Sequence, residues 1–335
     1  MHEKAYAGRT VTTESSPVMP PCLIAPPESE ALGRAIAQAA NWEWVAIEER
    51  RFAGGEFTLR PLAALGNRDV CVVQTLAPTA EAPIADRLVR LLFLLGSLRD
   101  AGARSRIALI PYLAYARQER RTESGEPVHT RYVAELLEAA GMTHLIALDV
   151  HDLGALDNSF RVPIDHLTAR SIFVDWLAEQ PLSDPIAVAS PDIGGIKRAQ
   201  LFREQLEKRL GRAIQFLFME KRRVAGQVSG RQIVGQAAGL HVLMIDDLCA
   251  TGETLLRAAG SFHDAGALRV SALITHVASA EGLRALCANP HLSQVLVTDS
   301  ALTPEGAIQD SARGKLYVRP CASLFGPSLA QIVSR

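Results

Sequence analysis

A three-part pattern repeats along this chain and restricts its fold more than any other feature: a helical run, an Ala-Gly stop, then a short aliphatic strand. It occurs at "LRDAGARSRIALI", "LLEAAGMTHLIALDV" and "FHDAGALRVSALITHV". Gly102, Gly141 and Gly266 stand where a helix C-terminus wants a left-handed residue, a region glycine enters without a Cβ clash. Alternating helices and short apolar strands imply parallel sheets covered on both faces. The copies fall in both halves of the 335 residues, a length with room for two domains of ordinary size. The expected organisation is a flexible tail over residues 1–20 and two similar α/β units, 21–165 and 166–335, joined near residues 163 to 168. The likeness between the halves is one of pattern, and α/β architecture alone also produces it.

Composition narrows the function classes. Hydrophobic content of 48% with 21% charged residues fits a globular chain with a large core. The formal charge of −1 gives no general pull toward nucleic acid, so any polyanion site must be local. Five widely spaced cysteines without a C-x2-C pair argue against structural zinc or a disulfide framework and suit a reducing, cytoplasmic setting. No apolar run reaches transmembrane length, and the N-terminus lacks the basic-then-apolar pattern of a signal peptide. Neither a membrane nor a nucleic acid is an expected partner.

The most informative local stretch is "VLMIDDLCATGETLLRAAG", residues 242 to 260. Val242 to Ile245 reads as a buried strand. Asp246 and Asp247 follow, then a loop with Thr251, Gly252 and Thr254, then an amphipathic helix from Leu255. A helix N-terminus after a turn offers free N–H groups and a positive dipole end, which together hold an anion. The two carboxylates decide which anion. At roughly 6 Å and an effective dielectric near 20, an Asp and a phosphate repel by about 3 kcal/mol. A sugar with vicinal hydroxyls removes the conflict because hydroxyls donate to carboxylates, and a divalent cation bridges the rest. One phosphate joined to a ribose is the ligand that fits best; two solvated Asp residues before a capped helix are the plain alternative.

Other clusters follow predicted strands, where ligands gather in parallel sheets. "PYLAYARQERR" places Arg117, Gln118, Arg120 and Arg121 after the strand Ile107–Ile110, either as a phosphate and base clamp or as a solvated basic turn. "FMEKRR" puts Lys221, Arg222 and Arg223 at the end of a strand over Phe216–Met219, before a glycine-rich mobile hairpin. Cations there fit phosphoryl transfer, and a charged β-turn is the alternative. Asp192 in "VASPDIGGIKRA" is a metal or sugar ligand or a helix N-cap, ahead of a helix carrying Lys197 and Arg198. His151 and Asp152 follow the strand Leu145–Val150, where His beside Asp is a metal or phosphate ligand and a structural histidine is the plain alternative. Phe52 and Glu56 in "RRFAGGEF" offer a stacking face and an acceptor. No G-x4-G-K-[ST] loop occurs, so an ATP site here is not of the P-loop kind.

Taken in order, "FAGGE", "PYLAYARQER", "LDVHDLGALDNSF", "VPIDHL", "SPDIGGIKRA", "EKRR" and "IDDLCATGET" make the chain resemble the ribose-phosphate pyrophosphokinases, over roughly residues 22 to 335. The resemblance implies two tandem type I phosphoribosyltransferase-like domains, each a mostly parallel sheet flanked by helices, with an active site between them and at a subunit contact of a homo-oligomer. It implies transfer of the β,γ-diphosphoryl group of ATP to the anomeric hydroxyl of ribose 5-phosphate with Mg2+. By motif, Asp192, Asp246, Asp247, Thr251, Gly252 and Thr254 would hold ribose 5-phosphate. Phe52, Glu56, Arg117 and Gln118 would hold ATP, some of them from a neighbouring subunit. His151 and Asp192 would be metal partners, and Lys221 and Arg223 catalytic cations. The chain departs from the family at Gly54, where an acidic residue is usual, and at Ala250, where many members carry Asp. The stretch after "EKRR" is closer to archaeal-type members. A phosphoribosyltransferase and a catalytically silent, synthetase-like regulatory subunit are the rival readings.

Overall fold

In the computed structural model the described residues are 19–79, 82–182, 184–224, 227–301 and 314–333, with the side chains of 221–231 and 333 outside the description. Most of the expected tail therefore lies outside the described residues.

The first unit holds β1 (Cys22–Ile24), α1 (Glu30–Ala40), β2 (Glu43–Trp44), β3 (Ile47–Arg51), β4 (Phe57–Pro61), β5 (Asp69–Val73), α2 (Ile84–Asp100), β6 (Ser105–Ile110), α3 (His129–Ala139), β7 (His144–Leu148), α4 (Leu153–Ser159) and β8 (Ile164–Leu167). Six of its strands form a parallel sheet in the order β2-β1-β5-β6-β7-β8, while β3 and β4 stand apart as an antiparallel hairpin. The second unit holds α5 (Arg170–Ala178), β9 (Ile186–Ser190), α6 (Ile196–Leu210), β10 (Gln215–Val224), β11 (Gln227–Val234), β12 (His241–Cys249), α7 (Glu253–Asp264), β13 (Arg269–Val277), α8 (Ala280–Ala288), β14 (Gln294–Thr298), β15 (Leu316–Arg319) and α9 (Phe325–Val333). Its sheet runs β11-β10-β9-β12-β13-β14-β15, parallel except at β11. The expected α/β class, with mostly parallel sheets flanked by helices, holds. Because β8 completes the first sheet, we place the junction between the units after Leu167.

The punctuation read from sequence is present. Gly102, Gly141 and Gly266 have φ of +72°, +106° and +84°, each two residues past the end of its helix. β5, β7 and β9 are buried at every residue, as strands covered on both faces must be. One continuous buried cluster runs from Leu23, Val73 and Leu109, through Phe173 of α5 and Phe325 of α9, to Val188 and Leu273. The two sheets thus share a core, and their outer faces are filled by separate clusters under α2 and α7. No described helix is long and apolar enough to cross a membrane.

His241 opens β12, 2% exposed, with Nε2 2.8 Å from Ser271 Oγ. Burial, reinforced by Arg269, pushes its pKa down to about 4. The buried ring is neutral, so the unfolded chain takes up its proton first as pH falls. Its stabilising contribution is complete above about pH 6.5 and shrinks through the window down to about 4. About 2 kcal/mol should be lost by pH 5, read as a fall in urea midpoint that His241→Gln reduces.

Candidate active site

β12 was expected to stop at Ile245 and instead continues through both aspartates to Cys249, because β13 pairs beside it as far as Cys249↔Val277. The chain then turns at Gly252, whose φ of +79° makes it the N-cap of α7. A side chain there would also meet the Gly282 carbonyl oxygen and Leu286. Thr251 Oγ1 accepts from the Glu253 amide at 3.4 Å, so the loop is tied to the first turn of the helix whose N–H groups face outward.

All six residues assigned to ribose 5-phosphate line one cavity of about 330 Å3: Asp192, Asp246, Asp247, Thr251, Gly252 and Thr254. β9 and β12 are neighbours in register Ala189↔Met244, so the loops after them meet at one sheet edge. Arg117 and His151 cross from the first unit to line the same wall. A second cavity, about 400 Å3, adjoins it and shares Arg117, His151, Asp247 and Leu248; Gln118, Tyr112 and Tyr115 line its other side. Tyr115 has φ +65°, a left-handed backbone that bulky residues rarely adopt and that clusters at ligand sites.

The electrostatic centre is Asp247. His151 Nδ1 lies 2.9 Å from its Oδ2, and the Arg198 guanidinium reaches both carboxylates, 3.2 Å to Asp246 Oδ1 and 3.1 Å to Asp247 Oδ2. The Asp247 amide also donates to Asp246 Oδ1 at 2.9 Å. One oxygen of each carboxylate is thereby engaged from outside the pair, and the two carboxyl groups also interact with each other. Burial pushes the Asp247 carboxyl up, but the His151 hydrogen bond and Arg198 outweigh it and hold it well below the usual range. Burial and the neighbouring Asp247 push Asp246 the other way. The hydrogen bond to Asp247 raises the His151 pKa against its burial. A site of this kind has two fixed acceptors for vicinal hydroxyls beside an amide-lined turn for a phosphate.

Arg198, the residue that bridges the pair, was noted in the sequence only as a helix residue. Asp192 both lines the cavity and caps its own turn, Oδ1 accepting from the Gly195 amide at 3.0 Å. Asp152 serves as the N-cap of α4, accepting from Ala155, and lines neither cavity. Phe52, 55% exposed, and Glu56 sit at the turn of the β3–β4 hairpin and also line neither. Lys221 and Arg223, expected just past a strand, lie within β10, which runs on to Val224 because β11 pairs with it; their side chains lie outside the description.

His151 keeps Nε2 as a remaining donor atom and Asp192 keeps Oδ2. Among the described residues no three His, Cys, Asp or Glu side chains form a cage for a metal. Two separate donors fit a hard divalent cation that retains water and substrate phosphate oxygens, and do not fit a closed structural site.

The loop is backed by α8. A Cβ on Gly282 would overlap the Ala250 carbonyl oxygen and crowd the Thr251 carbonyl carbon. Backbone cannot swing aside as a side chain can, so Gly282→Ala must displace the loop. The ribose 5-phosphate KM should rise at least about tenfold while the ATP KM changes little, with about 1–3 kcal/mol of destabilisation from overpacking. Steady-state kinetics with each substrate varied would check this.

Residues 22–141 match the family model of the N-terminal domain of ribose phosphate pyrophosphokinase. The chain is 31% identical over 303 residues to the ribose-phosphate pyrophosphokinase of Hyphomonas neptunium, covering 90% of this chain and 93% of that one. With the Wolinella succinogenes ribose-phosphate pyrophosphokinase it shares 37% over 227 residues, 68% of this chain and 70% of the other. The crystal structure of phosphoribosylpyrophosphate synthetase from Mycobacterium smegmatis matches with a TM-score of 0.82 at 26% identity, over 94% of this chain and 99% of that one.

Proposed function

The chain belongs to the ribose-phosphate pyrophosphokinase family, and on that premise we propose how its residues divide the work. The reaction moves the β,γ-diphosphoryl group of ATP to the anomeric hydroxyl of ribose 5-phosphate: the hydroxyl oxygen bonds to the β-phosphorus as the bond to the α,β-bridging oxygen breaks, leaving AMP. Asp246 and Asp247 accept hydrogen bonds from the ribose hydroxyls. Thr251, Gly252 and Thr254 hold the 5-phosphate at the N-terminus of α7, and Asp192 completes that side. Arg198, which lines the same cavity, fixes both carboxylates. Arg117 and Gln118 hold the nucleotide across the shared wall, and Phe52 and Glu56 serve a neighbouring subunit of a homo-oligomer, since neither lines either of the two cavities described. Lys221 and Arg223 neutralise charge on the moving phosphate oxygens.

Mg2+ would be held by His151 and Asp192 together with substrate oxygens, and supplies neutralisation of phosphate charge. The free thiols fit a cytoplasmic setting. The observation that carries the reading is that six residues, assigned to ribose 5-phosphate from motif alone, line a single cavity.

The test is transfer of label. Incubated with ATP labelled at the β-phosphate, Mg2+ and ribose 5-phosphate, the protein should yield labelled sugar and AMP in equal amounts. Label appearing in ADP would reject the reaction, and sugar-phosphate binding without transfer would mark a silent subunit. Omitting Mg2+ should abolish turnover.

A further inference from the structure

His151 reaches Asp247 from a turn that is itself held from across the domain junction. β7 ends at Leu148, and Asp149 follows at φ +39°, a left-handed backbone that is unfavourable for an L residue. Neighbouring groups hold it there. The Asp149 amide donates to Leu167 O at 2.9 Å, and the Val150 amide donates to His166 Nε2 at 3.2 Å. Asp149 Oδ2 accepts from the Ala169 amide at 3.0 Å and from Thr275 Oγ1 at 2.6 Å. His276 Nε2 lies 2.9 Å from the Leu148 carbonyl oxygen, which can only accept, so the imidazole proton sits on Nε2.

Thr275 and His276 are consecutive residues near the end of β13, in the second unit, and both are buried. They are fixed from behind as well. Ser300 Oγ lies 2.8 Å from His276 Nδ1, and Thr298 Oγ1 donates to the Thr275 carbonyl at 2.6 Å. The sugar-binding unit therefore grips the last strand residue and the strained residue that precede His151 by three and two positions.

We propose that Thr275 and His276 form a latch that positions His151 against Asp247. Thr275 is a positioning residue: it lines neither cavity, and it acts through Asp149. Without its hydroxyl, the buried Asp149 carboxylate keeps, among the described residues, only the Ala169 amide, and the left-handed turn loses a support it needs. A shift of about 1 Å at His151 is enough to cost turnover on the order of a hundredfold. The proposal deepens the reading of the cleft as the diphosphoryl-transfer site and rests on it.

The experiment compares Thr275→Val, which keeps the volume and removes the donor, with Thr275→Ser, which keeps the donor. Ser328→Ala is the control, because Ser328 Oγ donates to Asp165 Oδ2 across the same junction, touches neither Thr275 nor His276, and lines neither cavity. Thr275→Val should lower kcat about thirtyfold while the ribose 5-phosphate Kd, measured without ATP, stays within about twofold. Thr275→Ser should recover kcat to within about threefold of the starting protein, and Ser328→Ala should leave it unchanged. A crystal structure of Thr275→Val should show His151 drawn off Asp247. The pair retained at hydrogen-bond distance, equal kinetic losses in Thr275→Val and Ser328→Ala, or no recovery in Thr275→Ser would overturn the latch. Should Thr275→Val not fold, Thr275→Ala removes the same donor with a smaller side chain; an unchanged kcat there overturns the latch equally. Failure of the unsubstituted protein to make labelled sugar would instead overturn the functional reading, and the crystallographic comparison would still decide the latch.

Discussion

Asp247→Asn should lower kcat/KM for ribose 5-phosphate about a thousandfold, or about 4 kcal/mol of transition-state stabilisation. Asp247 is shared by both cavities and accepts from His151 and Arg198 through one oxygen. An amide in its place either turns its NH2 against those two donors or turns its single oxygen toward them and offers NH2 to the sugar. Either way a largely buried cation loses half of its carboxylate pair, and removing one partner of such a pair is typically worth about 3–5 kcal/mol. Asp246→Asn should be milder, about tenfold in the same ratio, because the Asp246 carboxyl is already pushed toward its neutral form by burial and by Asp247, and the amide imitates that form. Calorimetric titration with ribose 5-phosphate, beside initial rates, separates the two. Equal losses in the two variants, or a larger loss at Asp246, would show that the pair shares its charge evenly and that Arg198 does not favour Asp247.

What the sequence made legible was whatever lies close along the chain. The Ala-Gly stops read correctly because a left-handed C′ residue is a local demand, settled within a few residues at Gly102, Gly141 and Gly266. The turn at Gly252 and the helix after it were legible for the same reason, since strand, carboxylates, turn and helix are contiguous. Arg198 was not legible as a bridge, being 48 residues from Asp246. Which of Lys197 and Arg198 turns onto the carboxylates is decided by the register of β9 against β12 and the setting of α6. The latch was less legible still. Asp149 and Thr275 are 126 residues apart, and neither "LDVH" nor "ITHV" carries a pattern that marks a left-handed backbone or a junction. Asp152 beside His151 looked like chemistry and turned out to be a helix cap, which is the commoner fate of an Asp before a helix. The strand expected to stop at Met219 continues because its partner is supplied by the next segment, a pairing no local propensity encodes.

That continued strand sets the second large effect. β9 pairs with β10 only as far as Phe218↔Ser190, but β10 and β11 stay paired beyond it, at Lys221↔Arg231 and Arg223↔Val228. The ribbon carrying "EKRR" therefore leaves the sheet at the C-terminal end of β10. Because β9, β10 and β12 are parallel, this is the edge where Asp192, Asp246 and Asp247 stand. A two-stranded ribbon with no third strand beside it is marginally stable alone, so its residues contribute little to the fold and can be exchanged at small cost to stability. Lys221→Ala should then leave thermal unfolding within a few degrees of the starting protein and lower kcat by about a thousandfold or more, since a cation on the transferring group acts where charge moves. The ribose 5-phosphate Kd should change by no more than about threefold, because the proposed sugar contacts, Asp246, Asp247 and the α7 turn, lie on the other side of the transferred group. Single-turnover rates with saturating substrates, measured beside equilibrium binding, separate these outcomes. Matching losses in binding and turnover would make Lys221 a ground-state contact to the sugar phosphate, and would move the cationic work of transfer onto Arg223 or Arg117.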